Sequence, residues 1–210
     1  MLYAWFSYNE GDGNATVEHS REAINHLEKA GPMFLGLAES VLAGGYFLLG
    51  EHAKARNHAQ SGVTAQREAG VPTVLPLSYY CLALIQKASG DLLDAKNSAE
   101  EALKLSQQFH ATSYEACAWL ALGSTRGSAD PEQIELAERD IRQGISMAEE
   151  RKLKASSAQG YLFLGELFAR AGKKEGALQN LKKAEAMYRE MKVIPQSHWL
   201  ARAREALGRL

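Results

Sequence analysis

Cysteine is scarce in this 210-residue chain: Cys81 and Cys117 are the only two. They build neither a disulfide framework nor metal-ligand spacing, and a reducing cytoplasm is the expected setting. Proline and phenylalanine are also rare, at five and six, which leaves a leucine- and alanine-rich composition suited to a helical core. No apolar run reaches about 18 residues, so no transmembrane helix is expected. Met1 to Tyr8 is apolar, but it lacks a basic flank and is too short for a signal peptide. Neither sign of charge dominates. Lys and Arg number 24 against 25 Asp and Glu. Such a chain has no global basic field to hold nucleic acid or an anionic membrane.

Catalytic signatures are missing too. The sequence contains no Gly-rich phosphate loop, no H-E-x-x-H, no G-x-S-x-G and no Cys-x-x-Cys. His110 and Cys117 share a predicted helix but lie about 10.5 Å apart along its axis, too far for a nucleophile–base pair. Cys81 and Cys117 read as small apolar core residues. Asp12-Gly13-Asn14 has no glutamate at the end of a 12-residue calcium loop, so it reads as a turn. No enzyme activity, cofactor or metal is expected.

What the chain does have is a period. Ala55, Ala95, Ala137 and Ala177 are separated by 40, 42 and 40 residues. Ala59, Ala99, Ile141 and Leu181 follow in step, and so do Gly62, Ala102, Gly144 and Ala184. Gly50, Gly90 and Gly172 each precede the first alanine by five residues. Self-similarity at this period is the signature of stacked supersecondary units. Each unit reads as a helix pair. Tyr161, Leu164, Gly165 and Phe168 fall on one helical face. Gly172 closes that helix in the left-handed conformation, and Ala177, Leu181, Ala184 and Tyr188 return as a second stripe. Tyr79, Leu82 and Ala83 pair with Ala95, Ala99, Ala102 and Leu105 in the same way, with Asp91 as N-cap. Asp130 and Pro131 start a second helix after the longest turn, which explains the 42-residue spacing. Small residues at the crossings let helix axes approach to about 8–10 Å, while Trp119 and Tyr161 fill space between units.

The expected fold is therefore all-α, one solenoid over 1–210. Its units are 1–31 (partial), 32–71, 72–111, 112–153 and 154–194, followed by a capping helix over 196–210. Trp199, Leu200, Ala203 and Leu207 form the apolar side of that cap, and a solenoid needs a polar outer face there. The N-terminus reads as unfinished. Asn9 to Asn14 is a predicted turn, and the segment before it is too short for a helix that is stable alone. This suggests the tail of a longer array, with Leu2, Tyr3, Trp5 and Phe6 as an apolar edge open to weak self-association.

Trp119-x-x-Leu122-Gly123 and Tyr161-x-x-Leu164-Gly165-x-x-Phe168, followed by Gly172, Ala177, Leu181 and Ala184, resemble the tetratricopeptide repeat (TPR). The period is about six residues longer than the family's 34, and the aromatic and proline of the second half are mostly missing. Lengthened repeats of this kind are similar to those of large bacterial signalling proteins, such as maltose-regulator-type activators and the C-terminal arrays of multidomain nucleotide cyclases. The resemblance implies a right-handed superhelix of about five helix pairs. It also implies a concave groove lined by the first helices of the units: Ser40, Gly44 and Phe47, then Tyr80, Leu84 and Lys87, then Leu120 and Ser124, then Leu162, Glu166 and Arg170. The alternative for Leu84 and Leu162 is plain packing against the next unit.

Charge is unevenly placed. Residues 1–150 carry 11 Lys and Arg against 20 Asp and Glu, and residues 151–210 carry 13 against 5. Such asymmetry bears on association and steering. The function expected from the sequence is non-catalytic. The chain binds a protein or peptide segment, or another domain of its own parent chain, in the concave groove. The alternative is a ligand-sensing module of a larger bacterial signalling or transcription-regulatory protein.

Overall fold

The computed structural model describes residues 1–30 and 32–210, apart from the side chains of Ala30 and Pro32. The unit boundary expected after residue 31 lies at Gly31, outside the described residues. The described residues form helices and no strand. Five antiparallel pairs follow one another: α1 (Leu2–Glu10) with α2 (Gly13–Ala30), α3 (Leu35–Leu48) with α4 (His52–Glu68), α5 (Leu75–Ala88) with α6 (Leu92–Gln108), α7 (Thr112–Ala129) with α8 (Ile134–Glu150), and α9 (Lys154–Arg170) with α10 (Lys174–Glu190). A single helix, α11 (His198–Gly208), ends the chain. The odd-numbered helices form an inner layer and the even-numbered ones an outer layer, as in a TPR-like solenoid.

The two layers differ because their sequences differ. The outer helices are amphipathic. In α8 the buried residues are Ala137, Asp140, Ile141, Gly144, Ile145 and Ala148, one stripe of a helix. The inner helices are buried nearly all round. In α5 every residue from Leu75 to Ile85 is buried, and that stretch is apolar on all faces. A helix apolar on every side must be covered on every side.

The periodic small residues sit where each pair crosses. Ala55, Ala95, Ala137 and Ala177 are fully buried, as are Ala59, Ala99, Ile141 and Leu181. The α3–α4 crossing shows why bulk is excluded. A Cβ on Gly62 would lie 2.7 Å from the Gly36 carbonyl oxygen and 2.9 Å from the Ser40 amide. Gly172 has φ 71°, the left-handed value expected for the end of α9. A second periodic set marks the other turn of each unit. Gly70, His110, Lys152 and Lys192 are spaced 40, 42 and 40, and all four have positive φ. Only the first is glycine, so this period is invisible to composition.

Several expectations need correction. The N-terminal unit is a helix pair, although its first helix, α1, has nine residues against 14 to 18 in α3, α5, α7 and α9. The turn expected over 9–14 shrinks to Gly11 and Asp12, because Gly11 adopts φ 75° and the Asp12 carboxylate accepts from the Ala15 amide at 3.0 Å. Asp91 stands at the N-cap position of α6 but caps nothing with its side chain. It pairs instead with Arg56 of α4, in the preceding unit. Trp119 and Tyr161 are only half-buried, with one face packed against the core. Tyr161 still links units: its hydroxyl donates to Glu149 of α8 at 2.7 Å and accepts from Lys183 of α10 at 2.5 Å.

The largest correction concerns α11. It covers the end of the stack and also meets the first unit. The Trp199 indole donates to the Tyr8 carbonyl at 3.0 Å. The His198 amide donates to the Gly11 carbonyl at 3.0 Å. The inner layer thus curves far enough for its last helix to touch its first.

Candidate functional site

Closure of the inner layer decides what is left of the concave face. At its centre the Tyr80 hydroxyl of α5 donates to Gln159 Oε1 of α9 at 2.6 Å, and both residues are buried. These helices belong to units two apart. With the two side chains in direct hydrogen-bond contact, no segment can pass between α5 and α9 at this level. Tyr8 lies beside Tyr80 and Gln159, and burial drives both phenols well above their ordinary pKa. Cys81 and Cys117 are buried close by. Burial pushes the Cys81 thiol up, and the Cys117 thiol up to about 11, so both stay protonated and inert.

Of the residues placed in the groove by family resemblance, Ser40, Gly44, Phe47, Tyr80, Leu84, Leu120, Ser124 and Leu162 are therefore interior. They pack within the stack: Gly44 against Tyr8 of α1, Ser40 against Gly62 of α4, and Leu120 against Gly144 of α8. The signal for this was available: each lies in an inner helix with apolar neighbours on every face. Lys87, Glu166 and Arg170 remain at the surface of a cleft.

Two openings lead into the inner layer, one at each end of its helices. The first turns of α7 and α9 border one, which is largely apolar. Trp5, Phe6, Tyr114, Leu153, Met191 and Val193 line this space of about 440 Å³. Leu2, Tyr3 and Phe6 beside it are exposed. The last turns of α5 and α9, together with α11, border the other. This cleft of about 720 Å³ is strongly charged. Five cations, Lys87, Arg170, Lys174, Arg202 and Arg209, face two carboxylates, Glu166 and Glu205.

Helix geometry assembles this charged mouth. Glu166 and Arg170 are four apart on α9 and share a face. Arg202 reaches them from α11 and grips Glu166 with two hydrogen bonds, Nε at 2.6 Å and Nη2 at 2.7 Å. Arg170 donates one arm to the Gly127 carbonyl of α7 at 2.9 Å. The Phe163 ring forms part of the wall, with the Lys87 ammonium 5.1 Å and the Arg202 guanidinium 5.5 Å from its centroid.

Electrostatics at the mouth are asymmetric. Burial pushes the Glu166 carboxyl up, but Arg202, with Lys87 and Arg170, outweighs it and holds Glu166 below the usual range. Lys87 goes the other way. Burial lowers its ammonium to about 7, Arg202 and Arg170 add to the fall, and Glu166 only partly opposes it. His198 is lowered to about 4, first by burial and then by Arg202. Sequence reasoning missed His198, Arg202, Lys174, Arg209 and Glu205. Their only trace was the basic bias of the last 60 residues, which names no face.

No membrane-length apolar helix and no cluster of metal-ligating residues occurs among the described residues. No curated protein matches the sequence. Solved structures do match in fold. RapI in its apo form superposes with a TM-score of 0.67 at 13% identity, covering 100% of this chain and 83% of that one. BtubC (BKLC) from P. vanneervenii gives 0.60 at 20%, covering 91% and 79%. The TPR-like repeats of a candidate kinesin light chain from Podosopora anserina give 0.56 at 15%, covering 90% and 92%. Identities this low speak to fold alone. TPR-like repeats are generally protein-interaction or regulatory modules, and typically non-catalytic. The MalT-like TPR region family matches residues 1–208, and the chain belongs to that family.

Proposed function

We propose that the chain is a non-catalytic interaction module that binds a protein or peptide segment at the charged mouth of its inner layer. The segment belongs to a separate protein or to another domain of a longer parent chain. The observation that carries this reading is the blocked centre. Tyr80 and Gln159 close the concave face, so the accessible share of the groove is Lys87, Glu166 and Arg170 with the flank of α11. Arginine side chains at a concave, partly desolvated site are the usual energetic anchors of interfaces. Interior residues such as Leu84, Leu120 and Leu162 hold this mouth in shape without touching a partner.

The test is capture of partners from the cell of origin by the full chain, followed by affinity measurement with Arg170→Glu. Loss of at least ten-fold in affinity, with helicity unchanged, supports the reading. An unchanged affinity moves the partner site to another face.

Membership of the MalT-like family and the cleft of about 720 Å³ favour a second reading: a regulatory module in which the same mouth senses a small ligand. A ligand-induced rise in melting temperature without any protein partner separates the two.

A further inference from the structure

Lys87 has no hydrogen-bonding or ion-pairing acceptor among the described residues, although Glu166 is near. Arg202 already engages both oxygens of that carboxylate. Lys87 stands in the last turn of α5, where the helix dipole favours a cation, yet α9 and α11 remove much of its water. The charged and titratable groups that line the same cleft are Glu166 and Arg170 from α9, Lys174 from α10, His198, Arg202 and Glu205 from α11, and Arg209 just after it. From α7 it meets only Ser124, Gly127 and Ser128. Arg170 is similar. One arm is fixed on the Gly127 carbonyl, and the side chain lines the cleft. Lys87 and Arg170 thus share a half-enclosed space in which Glu166 is already spent on Arg202 and Glu205 on Arg209. A cluster of this kind is one anion short.

From this arrangement we infer that the mouth is an oxyanion-binding site, in which a carboxylate or phosphate group is seated between Lys87 Nζ and the guanidinium of Arg170. The Arg202–Glu166 fork is the back wall, and Phe163 supplies an apolar side. The chemistry required is two or three acceptor oxygens on one centre, which a phosphate or carboxylate provides and a halide does not. The oxyanion can arrive free or as an acidic side chain of a bound segment. This deepens the proposed function, on which the second source rests. Binding also has a signature that mere surface attraction lacks. Lys87 is only partly protonated near neutral pH, so a bound oxyanion draws a proton onto it.

The experiment is calorimetric titration of the full chain at pH 7.5 and fixed ionic strength, in two buffers of different ionisation enthalpy. The probes are sodium phosphate and a terminally blocked penta-glutamate peptide. The expected result is one saturable site, with net proton uptake read in the peptide titration, because phosphate itself exchanges protons near neutral pH. Lys87→Met weakens it at least ten-fold, Lys87→Arg keeps the binding but loses the proton uptake, and exposed Lys182→Met changes nothing. Tighter binding of the peptide than of phosphate identifies a segment as the source, and the reverse identifies a free oxyanion. Absence of saturation with both probes, or equal binding by Lys87→Met, overturns the inference. A protein partner captured independently of Lys87 would leave the proposed function standing while this chemistry falls. Phosphate binding with no partner would do the opposite.

Discussion

The indole nitrogen of Trp199 donates to the backbone carbonyl of Tyr8 at 3.0 Å, across a sequence separation of 191 residues. The same indole meets the Tyr8 ring edge to face, with centroids 5.8 Å apart. Trp199 is 1% exposed, so its large apolar surface and its one polar atom are both satisfied at this junction. A repeat array in which each unit touches only its neighbours unfolds piecewise. Here Trp199, with the His198 amide beside it, ties the last helix to the first unit.

Removing that tie is the first prediction. Trp199→Ala is expected to destabilise the chain by about 3–5 kcal/mol. Trp199→Phe keeps most of the apolar contact and loses one hydrogen bond, at a cost of about 0.5–1.5 kcal/mol, because the Tyr8 carbonyl still accepts from the Gly11 amide at 3.0 Å. Urea unfolding measures both, and hydrogen exchange locates the effect. Amides of α1 should lose protection along with those of α11. Loss confined to α11 would mean that the closure is not cooperative.

The helix crossings give a second prediction. Ala177 is fully buried on α10, on the buried stripe that packs against α9. Ala177→Leu forces bulk into that crossing and should cost about 1–3 kcal/mol. An unchanged melting temperature would show that the crossing has room to relax.

The third concerns the left-handed residues. His110, Lys152 and Lys192 hold φ of 52°, 57° and 56°, a conformation that costs a side-chain-bearing residue about 1–2 kcal/mol. Glycine removes that strain but adds unfolded-chain entropy, so each change to glycine should stabilise by about 0.5–1 kcal/mol. Because the three turns share no hydrogen-bond partner, the triple variant should gain nearly the sum. Chemical denaturation of the single and triple variants decides it.

Acid sensitivity is the fourth. His198 titrates near 4 in the folded chain because burial, then Arg202, opposes its charge, whereas the unfolded imidazole titrates near 6.5. Its contribution is fully present above about pH 6.5 and declines as pH falls towards 4, since only the unfolded chain takes up the proton in that window. The expected loss between pH 7 and pH 4.5 is about 1–2 kcal/mol. His198→Leu should remove that part of the slope, read as the difference between the two chains' urea midpoints at pH 7 and pH 5.

Lys87 gives the fifth prediction, of opposite practical sign. Its folded pKa is lowered to about 7, first by burial. The half-buried ammonium is therefore a cost at and below pH 7, only partly relieved by Glu166, and the cost fades as pH rises from 7 towards 10.5. Lys87→Met should raise stability by about 1–2 kcal/mol at pH 6, with the gain shrinking at pH 9. A destabilised variant at pH 6 would show that Lys87 is satisfied within the fold. A stabilising change that abolishes binding is the pattern expected of a functional residue.

The repeat, the helix pairs and the small residues at their crossings were legible in the sequence. They depend on contacts between residues about ten to thirty positions apart, and local periodicity encodes such contacts directly. Ala177, Ile141 and Gly62 stand where the 40-residue period put them. The register of the groove was legible only in part. Lys87, Glu166 and Arg170 reach a cleft, whereas Tyr80 and Leu162 from the same inner helices do not.

The difference lies in curvature. Curvature accumulates from a small rotation at each unit, set by how side chains of successive helices interlock, and no single residue announces it. By itself the sequence determined an all-α stack, the identity of its inner helices and the absence of a dominant charge. Tertiary structure alone decided that the stack bends until Trp199 meets Tyr8, that Tyr80 meets Gln159 across the middle, and that scattered basic residues converge with Lys87 on one mouth. Contacts that close a curve depend on the sum of every earlier angle, and that sum is geometric rather than local.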